Sequence, residues 1–319
     1  MGHSNMKTIF LGRSSLSSSR VAYGCWRIAG TWNSAEVTAS AEATGQRAVV
    51  AAYEAGYTLF DHADIYCDGV AERIFGQVLK KVSGMRERIL IATKCGIRKP
   101  GEPRPDSPYR YDFSGEHILA SCEQSLRRLG VEAIDLYQLH RPDYLMNPEE
   151  IAAAFSKLKE QGKVREFGVS NFRPSQVTAL QKACPMRLRV NQVEISLANL
   201  SCFEDGTLDQ CLAENITPMA WSPLAGGQLG DGAKRLLPSQ EGYRIQPIAA
   251  ALDLMAKDKG VSRTLLALAW LLKHPAGMTP IIGSTNPDNI REAAKAAEVD
   301  LSREDWYRLL GAARGEKLA

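Results

Sequence analysis

The sequence predicts an α/β fold built as one (β/α)8 TIM-type barrel, and three observations carry that prediction. Short apolar runs alternate with helical patterns eight times between Val21 and Ala297, without a break in composition. Three consecutive runs, Leu59–Asp61, Ile89–Lys94 and Ile134–His140, end in ionisable residues, as barrel strands do where they carry chemistry. The first run is followed by Gly24-Cys25-Trp26-Arg27 rather than G-x-G-x-x-G, which argues against a doubly wound open sheet, the runner-up. Residues 1–319 then form a single domain, with 1–5 read as a short addition ahead of a native Met6.

In chain order, Val21–Gly24 is the first strand, ending near Trp26, and Gly45–Glu54 the first helix, closed by Gly56. Leu59–Asp61 is the second strand, and Ala71–Lys81 a helix with Val70, Ile74 and Val78 on one face. Ile89–Lys94 is the third strand. The stretch 97–112 holds Pro100, Pro103, Pro105 and Pro108, so no regular structure is expected there; a loop of that length suggests a functional lid. Ser114 caps a helix that runs to Arg128 and stops at Gly130. Ile134–His140 is the fourth strand, and Pro148 starts a helix ending at Gly162. Glu166–Ser170, Arg189–Glu194 and Thr217–Ser222 are the next strands, with helices opened by Pro174 and spanning Leu208–Glu214 between them. A second long loop, 226–246, precedes two helices, Pro247–Lys259 and Ser262–Lys273. Thr279–Ile282 is the eighth strand, followed by a helix over Pro287–Ala297 and an extra C-terminal one over Ser302–Ala312.

Composition excludes several classes. Hydrophobic residues make up 45% and charged residues 24%, and the net charge is +3, too mild to argue for nucleic acid. The longest apolar stretch, Leu265–Leu272, is too short to span a bilayer, and the start lacks the apolar core of a secretory leader. Seven cysteines without metal or C-x-x-C spacing read as reduced, buried thiols of a cytoplasmic protein, Cys95 among them.

In a barrel, the ionisable strand ends converge at one face: Asp61, Lys94 and His140, with Tyr66 just beyond the second strand. Alone, an Asp at a strand end is more often a cap, a Tyr packs and a Lys is solvated. Together they suit proton transfer to an oxygen gaining charge: an ammonium favours phenolate, a carboxylate holds the ammonium, and an imidazole donates to a carbonyl.

On these residues the chain resembles an aldo-keto reductase of the bacterial type. The run 56–66 (GYTLFDHADIY) is similar to the family signature around its catalytic Asp and Tyr. Ile91–Lys94 resembles the motif of the catalytic Lys, and 137–142 (YQLHRP) that of the catalytic His. The resemblance covers about Val21 to Leu309 and implies NAD(P)H-dependent reduction of an aldehyde or ketone. By it, Tyr66 is the general acid, Lys94 and Asp61 lower its pKa, and His140 orients the carbonyl. It places Ser170, Asn171 and Gln192 at the nicotinamide carboxamide and Trp221 against the nicotinamide ring. Ser222, Pro223, Leu224 and Gly227 match the pyrophosphate loop, and Gly283, Ser284, Thr285 and Asn289 the adenosine-phosphate motif.

Gly283 and Asn289 stand where the family usually has a Lys and an Arg. A 2′-phosphate normally wants cationic donors. Ser284, Thr285 and backbone N–H groups near Pro287 remain, and Arg291 or Lys295 could substitute, so NADP is the expected cofactor and NAD an option. Trp26 and the 97–112 loop are the pocket candidates, with Tyr23 and Trp32 after them; His62 and Asp64 read as structural neighbours. Two other readings stand beside a small-molecule carbonyl reductase: a nicotinamide-binding regulator without turnover, and a Schiff-base aldolase using Lys94 as nucleophile. The expected partner is a small-molecule substrate, with no nucleic acid, no membrane and no metal.

Overall fold

A computed structural model of the chain describes residues 6–232 and 241–315. Its strands are β1 (Thr8–Phe10), β2 (Ser17–Ser19), β3 (Ala22–Gly24), β4 (Leu59–Asp61), β5 (Leu90–Cys95), β6 (Ile97–Arg98), β7 (Arg110–Tyr111), β8 (Ile134–Leu139), β9 (Val164–Ser170), β10 (Leu188–Glu194), β11 (Thr217–Trp221) and β12 (Thr279–Ile282). Its helices are α1 (Ala39–Glu54), α2 (Val70–Lys81), α3 (Gly115–Leu129), α4 (Pro148–Glu160), α5 (Pro174–Ala183), α6 (Thr207–Glu214), α7 (Ile245–Lys259), α8 (Arg263–Lys273), α9 (Pro287–Ala293) and α10 (Arg303–Arg314). Strands β3-β4-β5-β8-β9-β10-β11-β12 close into a barrel in which every neighbouring pair is parallel. This is the predicted fold, with extra helices after the seventh barrel strand and at the C-terminal end.

Side chains fill the barrel from inside: Ala22, Leu59, Ala92, Leu136, Val190 and Met219 form one buried cluster with Leu11 and Leu16. The last two come from the β1–β2 hairpin, which plugs the end opposite the strand C-termini. Gly12 at its tip donates its N–H to Thr217 Oγ1 at 2.9 Å. It sits at φ +53°, where a Cβ would lie 2.5 Å from Arg189 O, so only glycine fits. The sequence reading missed this hairpin, because three-residue strands carrying Ser17-Ser18-Ser19 have no apolar alternation to detect.

Boundaries set by local caps fall where the sequence puts them. Ser114 Oγ accepts from His117 N, and Gly130 ends α3 in the left-handed region. Asn147 Oδ1 accepts from Glu149 N and Glu150 N in front of Pro148. Helix α1 departs from the expectation. It starts at Ala39, capped by Thr38, so that Gly45 lies in its interior. A Cβ there would stand 2.0 Å from Ile28 O, which makes this glycine a contact point between α1 and the loop after β3. Mid-helix Gly→Ala normally stabilises by about 1 kcal/mol. Here Gly45→Ala is expected to destabilise by about 2 kcal/mol through overpacking, read as a lower urea midpoint. A raised midpoint would show that α1 shifts freely on the barrel.

The 97–112 loop also departs from expectation: β6 and β7 pair within it, Ile97 with Tyr111 and Arg98 with Arg110. All four prolines lie between the paired residues, so none removes a ladder hydrogen bond. Helix α7 begins at Ile245, ahead of Pro247, since a proline in the first helical turn gives up no helical bond. The rest of the 226–246 expectation falls partly on 233–240, and the addition before Met6 wholly on 1–5, outside the described residues. Helix α10 is held to α8 by stacked indoles: Trp270 and Trp306 lie 5.0 Å apart, each donating Nε1 to the other's carbonyl at 3.1 and 3.0 Å. All seven cysteines are free and buried. Among the described residues no helix is long and apolar enough to cross a membrane.

Candidate active site

A cleft of about 800 Å³ opens at the C-terminal ends of the barrel strands, where the predicted residues meet. Asp61 ends β4, Lys94 lies near the end of β5, and His140 follows β8. Adjacent parallel strands make them neighbours. Lys94 Nζ donates to Asp61 Oδ2 at 2.7 Å and to the His62 carbonyl at 2.6 Å. Asp61 Oδ1 accepts from Gln192 Nε2 at 2.8 Å. Lys94 is fully buried and does not line the cleft; it lies beneath Tyr66, 5.1 Å from the ring centroid. Tyr66 stands edge-on to His140 at 5.9 Å and to Trp32 at 6.1 Å.

The electrostatics follow from burial and neighbours. Burial works against the Lys94 ammonium, but Asp61 and Tyr66 outweigh it and hold the pKa above the usual lysine value. Burial, then Lys94, then Arg141 push His140 well below the usual histidine range, so the imidazole is neutral at pH 7. Burial raises the Tyr66 phenol above its ordinary value; Lys94 pulls it down, while the Asp61 charge pushes it up. The expectation that Asp61 lowers the Tyr66 pKa is thereby corrected: a carboxylate near a phenol opposes phenolate, and Asp61 acts by anchoring Lys94. His62 is buried against Phe75, its pKa lowered to about 3 by burial and Lys94. Asp64 is raised to about 7, chiefly by burial and then by Glu72.

The other predicted residues line the same cleft. Ser170 Oγ donates to the Gln192 carbonyl at 2.8 Å. Asn171, at φ +62°, donates Nδ2 to the Ser170 hydroxyl at 2.8 Å and to the His140 carbonyl at 3.2 Å, and its Oδ1 accepts from Trp221 Nε1 at 3.0 Å. Ser222, Pro223, Leu224 and Gly227 belong to the loop that directly follows β11, and Gly283, Ser284, Thr285 and Asn289 follow β12. Gly283 has no room for a side chain: a Cβ would lie 2.5 Å from Trp26 Nε1. Asn289 Nδ2 points to Ser284 Oγ at 3.5 Å and sits against Gly232. Of the pocket candidates, Trp26 and Trp32 line the cleft, as do Ile97 and Tyr109 from the 97–112 loop. Tyr23 does not: it is fully buried below, donating to the Ser284 carbonyl at 3.0 Å.

Sequence reasoning missed Arg141 and Asp231. Arg141 lines the cleft beside His140, its guanidinium 5.4 Å from the Trp221 centroid, and adjacency to the predicted His140 was the available signal. Asp231 accepts from Thr264 N and Oγ1 at 2.9 and 3.0 Å, joining the loop after β11 to α8 across 33 positions, which no local pattern reveals.

The donor set fits a nicotinamide group. A hydroxyl (Ser170) and two carboxamides (Asn171, Gln192) line the cleft together with an indole whose Nε1 edge is held by Asn171. Comparison with known proteins settles the lineage. The sequence model of the Aldo/keto reductase family matches residues 20–313. The chain belongs to that family. It is 42% identical over 314 residues to "6-dehydroglucose reductase" of Novosphingobium aromaticivorans, covering 97% of this chain and 96% of the relative. A protein of the same name from Agrobacterium fabrum is 39% identical, with 94% and 96% covered. Among solved structures, the glycerol dehydrogenase of Gluconobacter oxydans superposes with a TM-score of 0.83 at 27% identity, covering 98% of this chain and 97% of that one. This aldo-keto reductase is therefore an NAD(P)H-dependent oxidoreductase that reduces an aldehyde or ketone carbonyl to an alcohol.

Proposed function

We propose that Tyr66 is the general acid of this reductase, that His140 orients the carbonyl oxygen, and that Lys94, anchored by Asp61, sets the acidity of Tyr66. The observation that carries this reading is the buried Lys94–Asp61 pair at 2.7 Å lying under the Tyr66 ring, with a neutral imidazole across from it. A neutral His140 can donate a hydrogen bond to a carbonyl without competing as the proton source. Ser170, Asn171 and Gln192 would hold the carboxamide and Trp221 the ring of the nicotinamide. Bound there, NAD(P)H supplies the hydride. The same geometry counts against a Schiff base on Lys94, since its ammonium is doubly hydrogen-bonded and held protonated.

NADP(H) is the proposed cofactor, used with discrimination against NAD(H) of no more than about tenfold. The support is chemical. Ser284, Thr285 and Asn289 offer neutral donors, Trp26 fills the space beside Gly283, and Arg291 is paired with Asp288. Asn289→Arg is expected to raise the NADPH-over-NADH ratio of kcat/KM about tenfold, measured by paired steady-state assays. An unmoved ratio would place the 2′-phosphate elsewhere. The relatives' names support a polyhydroxylated aldehyde as substrate. The deciding experiment is titration with NADPH and NADH, followed by an aldehyde panel in the better one. Tight cofactor retention without turnover would favour the regulatory reading.

A further inference from the structure

Arg141 gives up no proton in the transfer described above, yet its guanidinium stands beside it. It follows His140 directly, and its charge acts on Tyr66, on His140 and on Tyr109 in the 97–112 loop. It lines the cleft and lies over the Trp221 ring at 5.4 Å. The two carboxylates that line the same cleft are already engaged: Asp61 by Lys94 and Gln192, Asp231 by Thr264. Among the described residues Arg141 has no carboxylate partner. A guanidinium resting on an aromatic face keeps its in-plane N–H donors free. In the wall of a reaction cleft, next to the two groups that flank the carbonyl oxygen, such donors face whatever the substrate carries near that carbonyl.

Resting on the active-site reading above, we propose that Arg141 is the specificity-determining residue of this reductase, gripping acceptor oxygens that the substrate bears beside the reacting carbonyl. Hydroxyls and a carboxylate offer the same acceptor chemistry to a planar fork of donors. An apolar aldehyde offers none and leaves the fork to water.

Three four-carbon aldehydes test this: butanal, erythrose and 4-oxobutanoate, each assayed with the wild type, Arg141→Met and Arg141→Lys. Relative to butanal, kcat/KM for erythrose or for 4-oxobutanoate is expected to fall about 30-fold in Arg141→Met. A loss confined to erythrose assigns hydroxyl groups; one confined to 4-oxobutanoate assigns a carboxylate. Arg141→Lys should recover the 4-oxobutanoate ratio in part, because a point charge replaces some of the fork. Ratios that stay within about threefold of wild type for both oxygenated substrates overturn the proposal. So does an equal loss on all three accompanied by weaker NADPH binding in a fluorescence titration, which would make Arg141 a cofactor residue. A wild type that turns over none of the three with either cofactor overturns the active-site reading itself, and this assignment with it.

Discussion

With phenylalanine at position 66, kcat for aldehyde reduction is expected to fall about 10³-fold while NADPH binding stays at the wild-type level. The substitution removes one oxygen and leaves the ring. The edge contacts with Trp32 at 6.1 Å and His140 at 5.9 Å therefore survive, and folding should be unaffected. The size of the loss follows from the lack of a substitute. His140 lines the same cleft, but burial and the Lys94 and Arg141 charges hold it neutral, so it carries no proton to give at pH 7. Lys94 lies beneath the ring, out of the cleft lining. The loss should appear in kcat and kcat/KM together, the pattern of an interaction made in the transition state. Steady-state assays beside a cofactor titration check it, and undiminished turnover would sink the assignment of the acid.

Much of this site was legible in the sequence because its logic is local. Asp61, Lys94 and His140 sit at the ends of consecutive barrel strands, and parallel neighbours bring them together without further information. The helix boundaries at Ser114, Gly130 and Pro148 were legible for the same reason, since a cap acts within three or four residues. What was not legible depends on distance or on sign. The Gln192–Asp61 bond joins positions 131 apart and ties the proposed carboxamide pocket to the buried Lys94–Asp61 pair, although each residue alone reads as a single-purpose contact. Gly45 looked like a helix start because its reason for being glycine lies on Ile28. The Asp61 charge raises the Tyr66 pKa rather than lowering it, a balance that depends on where the intervening ammonium sits. Gly283 marks a missing cation in the sequence; only the fold explains why, with Trp26 standing in the space a side chain would need.

The second large effect is expected for Lys94→Met, and it has two parts that a second substitution separates. Removing the ammonium leaves Asp61, only 2% exposed, with Gln192 as its remaining side-chain partner, and breaking a buried pair in this way destabilises by about 3–5 kcal/mol. The double variant Lys94→Met with Asp61→Asn removes both charges, so it should regain most of that stability in urea unfolding. It should not regain activity: both variants are expected to lose about 10²- to 10³-fold in kcat. Alcohol oxidation, the reverse reaction, gives the sharper readout because it needs the phenolate, so its rate rises with pH through the Tyr66 titration. Burial pushes that titration up, while Lys94 and Arg141 pull it down. Without Lys94 the rise must move to higher pH. In the single variant the Asp61 charge, no longer offset, moves it further still than in the double variant. An order of single above double above wild type along the pH axis is the expected result. If the three profiles coincide, Lys94 does not tune Tyr66, and the activity loss would have to come from disorder around Asp61, which the recovered stability of the double variant would contradict.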